Sequence, residues 1–139
     1  NLSNIVDESD LLFQKIDLLL SEKKYFESMN LLNEIISKDL TSEDIVKAKY
    51  ILSELYINDF NDYSSGIDLL NQIIKDFSNM SYAKKALFTK GYIYANYLDN
   101  YSKAAKVYEL FIDTYPNDDL VPSVKYELDI LYSVLNSLN

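Results

Sequence analysis

The chain has no cysteine, no histidine and no tryptophan, and only two glycines and two prolines among 139 residues. Without cysteine there is no disulfide framework. Without either cysteine or histidine the common zinc, haem and thiolate sites lose their ligands, and no Ser-His or Cys-His nucleophile pair can be assembled. Arginine is missing too: all 13 basic residues are lysine, against 22 acidic ones, for a net charge of -9. Binding to nucleic acid rests on neutralising phosphates and often on arginine forks, so such a partner is disfavoured by both sign and residue type. An anionic membrane surface is disfavoured by sign. No run approaches the roughly 20 apolar residues of a spanning helix, the longest being "IDLLL" with its flanks, so no direct membrane insertion of this segment is expected. The first residues, "NLSNIVDESD", lack an initiator Met and a basic-apolar leader, which leads us to expect a processed or trimmed N-terminus and a linker over residues 1–8. An export signal or lipid anchor upstream of residue 1 would then be invisible.

What is present is a repeat. Tyr25, Tyr63 and Tyr101 stand at equal intervals, with a period of 38. Three residues on come Ser28, Gly66 and Ala104; seven on, Leu32, Leu70 and Tyr108; ten on, Ile35, Ile73 and Phe111. The same shift joins Tyr50, Phe88 and Tyr126, and then Tyr56, Tyr94 and Tyr132. Within one unit, Tyr101, Ala104, Ala105, Tyr108, Phe111, Ile112 and Tyr115 fall at steps of three and four, a buried stripe on a helix. No two-residue alternation runs long enough for a strand. The fold is therefore all-α, with helices expected over 9–21, 23–38, 42–58, 62–76, 80–97, 100–114 and 119–137, three helical hairpins plus a C-terminal seventh helix in a single domain over 1–139. Thr41 is placed to cap the third helix, with Asp44 in its first turn, and Pro122 sits in the first turn of the seventh, where a missing N–H costs nothing. Where the two helices of a hairpin cross, only small residues fit, and Ser28, Gly66 and Ala104 on the second helices with Ser53 and Gly91 on the first are assigned to that crossing.

The segment "ALFTKGYIYANYLDNYSKAAKVYELFIDTYP" resembles the tetratricopeptide repeat: Gly91, Tyr94, Ala104, Tyr108 and Pro116 occupy its signature places. One extra residue lies between the helices, and the period of 38 exceeds the family's usual spacing. The resemblance implies a right-handed α-solenoid and a scaffold for protein or peptide partners. The phrases "FSNMSYAKKALFTKGYIY" and "YPNDDLVPSVKYEL" are similar to the longer tetratricopeptide units of bacterial cell-envelope proteins, of the Bam-complex lipoprotein and Tol-Pal coordinator type. That implies a periplasmic or outer-membrane-associated place, while a cytoplasmic one stays open.

Paired carboxylates can do acid–base work, but Asp59 with Asp62, Asp99 beside Asn100, and Asp118 with Asp119 all fall at expected helix ends, where solvated turns and helix-dipole partners account for them. "DFND" lacks the Gly and terminal Glu of a calcium loop, so no metal is expected, and no cofactor or catalytic residue is assigned. Thirteen tyrosines are more than capping and turns need. When the first helices are projected as the family arranges them, their exposed sides line a groove with Tyr50, Glu54 and Asn58, then Phe88, Tyr92 and Asn96, then Tyr126, Ile130 and Val134, each set at a spacing of four along one helix face. Aromatic rings there would bury a partner's side chains and the two Asn amides would bond its backbone. The lysine and asparagine clamp with which some relatives hold a C-terminal carboxylate is absent from these rows.

The leading reading is a non-enzymatic interaction scaffold with a protein or peptide partner. The alternatives are a self-associating structural repeat, and a small helical enzyme or ligand-binding protein with a carboxylate cleft. The charge balance carries a direct expectation. In a gel-shift series with unrelated duplex DNA and RNA at physiological salt the chain should give no complex, and micromolar, salt-sensitive binding would refute the inference from charge.

Overall fold

The computed structural model describes residues 2–38 and 40–138, with side chains from residue 8 onward. Among the described residues there are seven α-helices and no strand: α1 (Leu2–Ser21), α2 (Tyr25–Ser37), α3 (Ser42–Asn58), α4 (Tyr63–Asp76), α5 (Ser81–Asn96), α6 (Tyr101–Thr114) and α7 (Val121–Ser137). Six helices lie close to their expected bounds. The first begins earlier, at Leu2 rather than residue 9, and so takes in most of the expected linker. The three-and-four spacing of Leu2, Ile5, Ser9, Leu12 and Ile16 already carries that helix back into the first ten residues.

The chain resolves into two compact units, Asn1–Leu69 and Leu70–Asn139. In the first unit α1 packs on α2 and α2 on α3; in the second α5 packs on α6 and α6 on α7. Packing between successive helices inside each unit is consistent with a tetratricopeptide-like array. The first unit's core is Phe13, Ile16, Leu32, Ile35, Ala48, Leu52 and Leu55, with Tyr25, Met29, Tyr56 and Phe60 packed around it. The second unit's core joins Leu87 to the expected α6 stripe of Ala104, Ala105, Tyr108 and Phe111, and to Val121, Val124, Leu128 and Leu131, again at steps of three and four, on α7.

The small residues sit where helices approach most closely. Ser28, Ser53 and Ala104 have no exposed surface. A methyl group added at Gly66 would lie 2.5 Å from Ile57 Cγ1, and one at Gly91 would lie 2.6 Å from Tyr108 Cε1. Both distances are well inside van der Waals contact, so glycine is required for the helices to meet there.

The turns inside the hairpins also repeat. Lys23, Asn61 and Asp99, at equivalent places one period apart, hold left-handed φ values of 60°, 51° and 50°. This is a conformation that Asn and Asp tolerate better than most residues. The Tyr63 hydroxyl donates to Asn61 Oδ1 and the Tyr101 hydroxyl to Asp99 Oδ1, both at 3.4 Å. The next residue caps the following helix: Asp62 accepts from the amide and hydroxyl of Ser65, and Asn100 accepts from the Lys103 amide. The backbone N–H of the same residue reaches back six positions, from Asp62 to the Tyr56 carbonyl and from Asn100 to that of Tyr94. The extra residue between the helices is thereby accommodated with its polar groups satisfied. In the first hairpin Lys24 stands at the capping position and supplies no side-chain bond.

Other helix ends follow the chemistry of their residues. Thr41 Oγ1 accepts from the Asp44 amide at 3.2 Å, and Pro122 lies in the first turn of α7. Lys84 on α5 holds Asp118, in the turn after α6, at 2.5 Å, and that ammonium together with the Leu120 amide keeps the Asp118 carboxyl below its usual range.

Two expectations follow for the second unit. Gly91→Leu and Ala104→Leu should each overpack the α5–α6 crossing and cost about 1–3 kcal/mol or more; unchanged melting midpoints by circular dichroism in both variants would remove the close-crossing assignment. The Tyr108 hydroxyl is buried and finds no hydrogen-bond partner among the described residues. Its phenol is pushed up to about 12 by burial, helped by the charges of Glu127 and Tyr92. Because the folded value is raised, stability held by the neutral phenol is complete below the ordinary value of 10 and is lost as pH climbs toward about 12. Tyr108→Phe keeps the ring and removes the orphaned hydroxyl, so it should stabilise the fold by up to about 1–3 kcal/mol, raise the midpoint and flatten the alkaline loss; a lower midpoint would show that the hydroxyl is bonded in the folded protein.

Candidate partner-binding site

In the first unit the side chains expected along one face of α3 are Tyr50, Glu54 and Asn58. Tyr50 is half-buried, while Glu54 and Asn58 are exposed. Glu54 and Asn58 belong to an open cleft of about 280 Å³. Its floor is apolar, made by Leu20 from the last turn of α1 and by Ile51 and Leu55 of α3. Its rim is polar, made by Tyr25 at the start of α2 and by Glu54, Asn58 and Asp59 at the end of α3. Burial, the Asp59 charge and a hydrogen bond to Asp59 together raise the Tyr25 phenol above its ordinary value. Tyr25 and Tyr56 also pack on Phe60, with ring centroids 6.2 and 6.3 Å away, so the α3–α4 turn is anchored against the rim.

In the second unit Tyr92 on α5 is 44% exposed, and Tyr126 and Ile130 on α7 are 67% and 43% exposed. These are large apolar surfaces that the core does not use. Tyr92 meets Tyr97, itself exposed, edge to face at 5.9 Å. Asn96 is exposed, but its side-chain N–H donates to the Tyr92 carbonyl one turn back at 3.1 Å, so that donor is engaged within its own helix. Burial first, and then the charges of Glu127 on α7 and Tyr92 on α5, raise the Tyr108 phenol.

Phe88 departs from the expected face. Its ring lies 6.0 Å from Tyr108 and 6.3 Å from Phe111, half-buried against the core of its unit, so it serves packing. Tyr132, one and two periods on from the half-buried Tyr94 and Tyr56, is instead 40% exposed, and its hydroxyl donates to Glu109 at 2.7 Å. Asp59 and Tyr97, one residue beyond the expected sets, join the exposed surfaces. They follow directly on α3 and α5, at equivalent places in the repeat. The half-buried Lys90 on α5, whose ammonium is made less basic by burial first and Lys103 second, was also not singled out by spacing.

Among the described residues no three His, Cys, Asp or Glu side chains gather as a metal set would, and no helix is long and apolar enough to cross a membrane.

No curated protein matches the chain. Residues 85–118 match the family model described as Tetratricopeptide repeat. That stretch runs from within α5 through α6 and holds Gly91, Tyr94, Ala104, Tyr108 and Pro116, the first four of them buried or half-buried. Over those residues the chain is similar to a tetratricopeptide repeat, a generally non-catalytic protein-binding module, and the packing of successive helices inside each unit is consistent with that likeness.

Proposed function

We propose that this chain is a non-enzymatic scaffold that holds a protein or peptide partner on the exposed faces of its first-of-pair helices, within a bacterial cell-envelope assembly. The observation that carries the binding face is the surplus of aromatic surface on α5 and α7: the core of that unit is filled by other residues, yet Tyr92, Tyr97, Tyr126 and Ile130 present large apolar surfaces to solvent. Tyrosine suits such a face, because it supplies wide contact area, orders few torsions on binding and keeps a polar tip for the partner's backbone. On α3 the corresponding surface is polar, with Glu54 and Asn58. The envelope setting is supported by the likeness of "FSNMSYAKKALFTKGYIY" to envelope tetratricopeptide units, and the gene's 5′ end tests it: a leader ending in a lipidation cysteine agrees, a plain cytosolic start disagrees.

The binding face has its own test. Tyr92→Ala with Tyr126→Ala removes exposed rings, so stability should stay within about 0.5 kcal/mol of the parent, the range of ordinary surface changes, and the melting midpoint should barely move. Capture of the native partner from the source organism should nonetheless be lost, because aromatic anchors carry a disproportionate share of interface energy. A large loss of stability with capture per folded molecule intact would assign both rings to packing and move the binding surface elsewhere.

A further inference from the structure

We infer that Lys90 on α5 is a modification site, an amine that takes an acyl group from an acyl phosphate. The inference does not depend on what partner the chain holds.

Lys90 occupies a core place in the repeat. One period before it stands Leu52 and one period after it Leu128, both buried in the cores of their units. Its neighbours on the helix face, three and four residues to either side, are Ala86, Leu87 and Ile93, all buried, and Tyr94, half-buried. The spacing thus sets a lysine in the middle of the stripe that α5 turns inward, where its sister helices carry leucine. A lysine in such a place lays its stem along the apolar side chains and takes its ammonium to the edge of the stripe, and Lys90 is accordingly half-buried. Among the described residues that ammonium makes no hydrogen bond and no ion pair, in a chain with 22 acidic residues. Its charged neighbour is instead a second cation, Lys103. Lys103, in the first turn of α6, holds its ammonium 5.5 Å from the centre of the Tyr94 ring, and Tyr94 lies one turn beyond Lys90. In the two earlier copies the equivalents of Lys103 are Glu27 and Ser65, so the two lysines meet in this copy alone.

A half-buried ammonium that faces another cation and no anion is shifted toward the free amine, by desolvation first and by Lys103 second. The free amine is the nucleophile. Lys103 is exposed and pairs with no carboxylate among the described residues, so it can also draw the phosphate of an acyl phosphate to the amine beside it. Lys90 Nζ adds to the acyl carbon; the C–N bond forms, the C–O bond to phosphate breaks, and phosphate leaves with the bonding pair and accepts the proton of the amine. The products are an amide and inorganic phosphate. Acylation removes the charge, so it leaves a neutral side chain in the leucine register and ends the repulsion with Lys103.

Acetylation of the 139-residue chain by millimolar acetyl phosphate at mildly alkaline pH, followed by cleavage at acidic residues and mass spectrometry, gives a rate for each lysine. Lys106 and Lys125, exposed on the same unit, are the comparators. Lys90 should react roughly threefold faster than both, or more, because the gain in free amine outweighs the weaker nucleophilicity that accompanies it. In urea, with burial gone, that lead should vanish. Lys103→Gln should bring Lys90 toward the comparators without moving the melting midpoint. The N-hydroxysuccinimide ester of acetic acid carries no phosphate, and with it Lys90 should still lead, by a smaller margin. Lys90→Met keeps the stem without the charge and should raise the melting midpoint, a readout that a freely solvated lysine would not move. A rate at Lys90 no higher than the comparators, a lead that persists in urea or in Lys103→Gln, or a midpoint lowered by Lys90→Met would each overturn the site; an equal margin with the phosphate-free ester would overturn the acyl phosphate as its donor.

Discussion

Everything in this protein depends on how closely the two helices of a pair can approach. The crossing residues are serine, glycine or alanine in every copy, and where the residue is glycine even one methyl group would stand 2.5–2.6 Å from a buried side chain. At Gly91 the neighbour is the Tyr108 ring, which is itself fully buried and cannot swing away as a flexible chain would. Close approach brings the apolar stripes of α5, α6 and α7 into one continuous core, and that core leaves the outer faces of α5 and α7 free of any packing duty. A wider crossing would open voids that no single side chain could fill.

The same closeness explains an apparent defect. Tyr108 occupies a position that calls for a large flat ring, and its hydroxyl is carried into the crossing without a partner among the described residues. An orphaned polar atom in so ordered a place is tolerated because the ring is what the crossing needs. In the equivalent place of the other two copies stand Leu32 and Leu70, which fill the space without bringing a polar atom.

Much of this was legible in the sequence, and the limits have physical causes. The helices showed because glycine and proline are scarce and the apolar spacing recurs with a constant period; the crossing showed because only small residues recur three places after each tyrosine. The left-handed turns did not show, because Lys23, Asn61 and Asp99 share a backbone conformation and no side-chain type. Phe88 misled for a different reason. A four-residue spacing identifies a face but not its edge, and Phe88, next to Leu87, falls on the side of the stripe that closes over Tyr108 and Phe111. The cleft on the first unit was half visible: Glu54 and Asn58 stood out on one helix, whereas Leu20 and Tyr25 reach it from two others, and only the folded chain brings them together.

A repeat of this kind separates two demands that compete in most folds. Residues at the crossing and along the stripes are held to narrow choices, since a change of one methylene there is felt throughout the core. Residues one turn away, at positions 54, 92 and 130, sit on the same backbone and bear none of that constraint, so one is acidic, one aromatic and one aliphatic without disturbing the helix that carries it. Specificity for a partner can then change by substitution at a few exposed places while stability remains with the buried ones. The tyrosines illustrate the division: Tyr94 and Tyr101 pack against the core of the second unit, while Tyr92 and Tyr126, on the same elements or the next, spend their surface outward. Which role a ring takes is decided by a turn of roughly 100° about the helix axis per residue, and not by its identity.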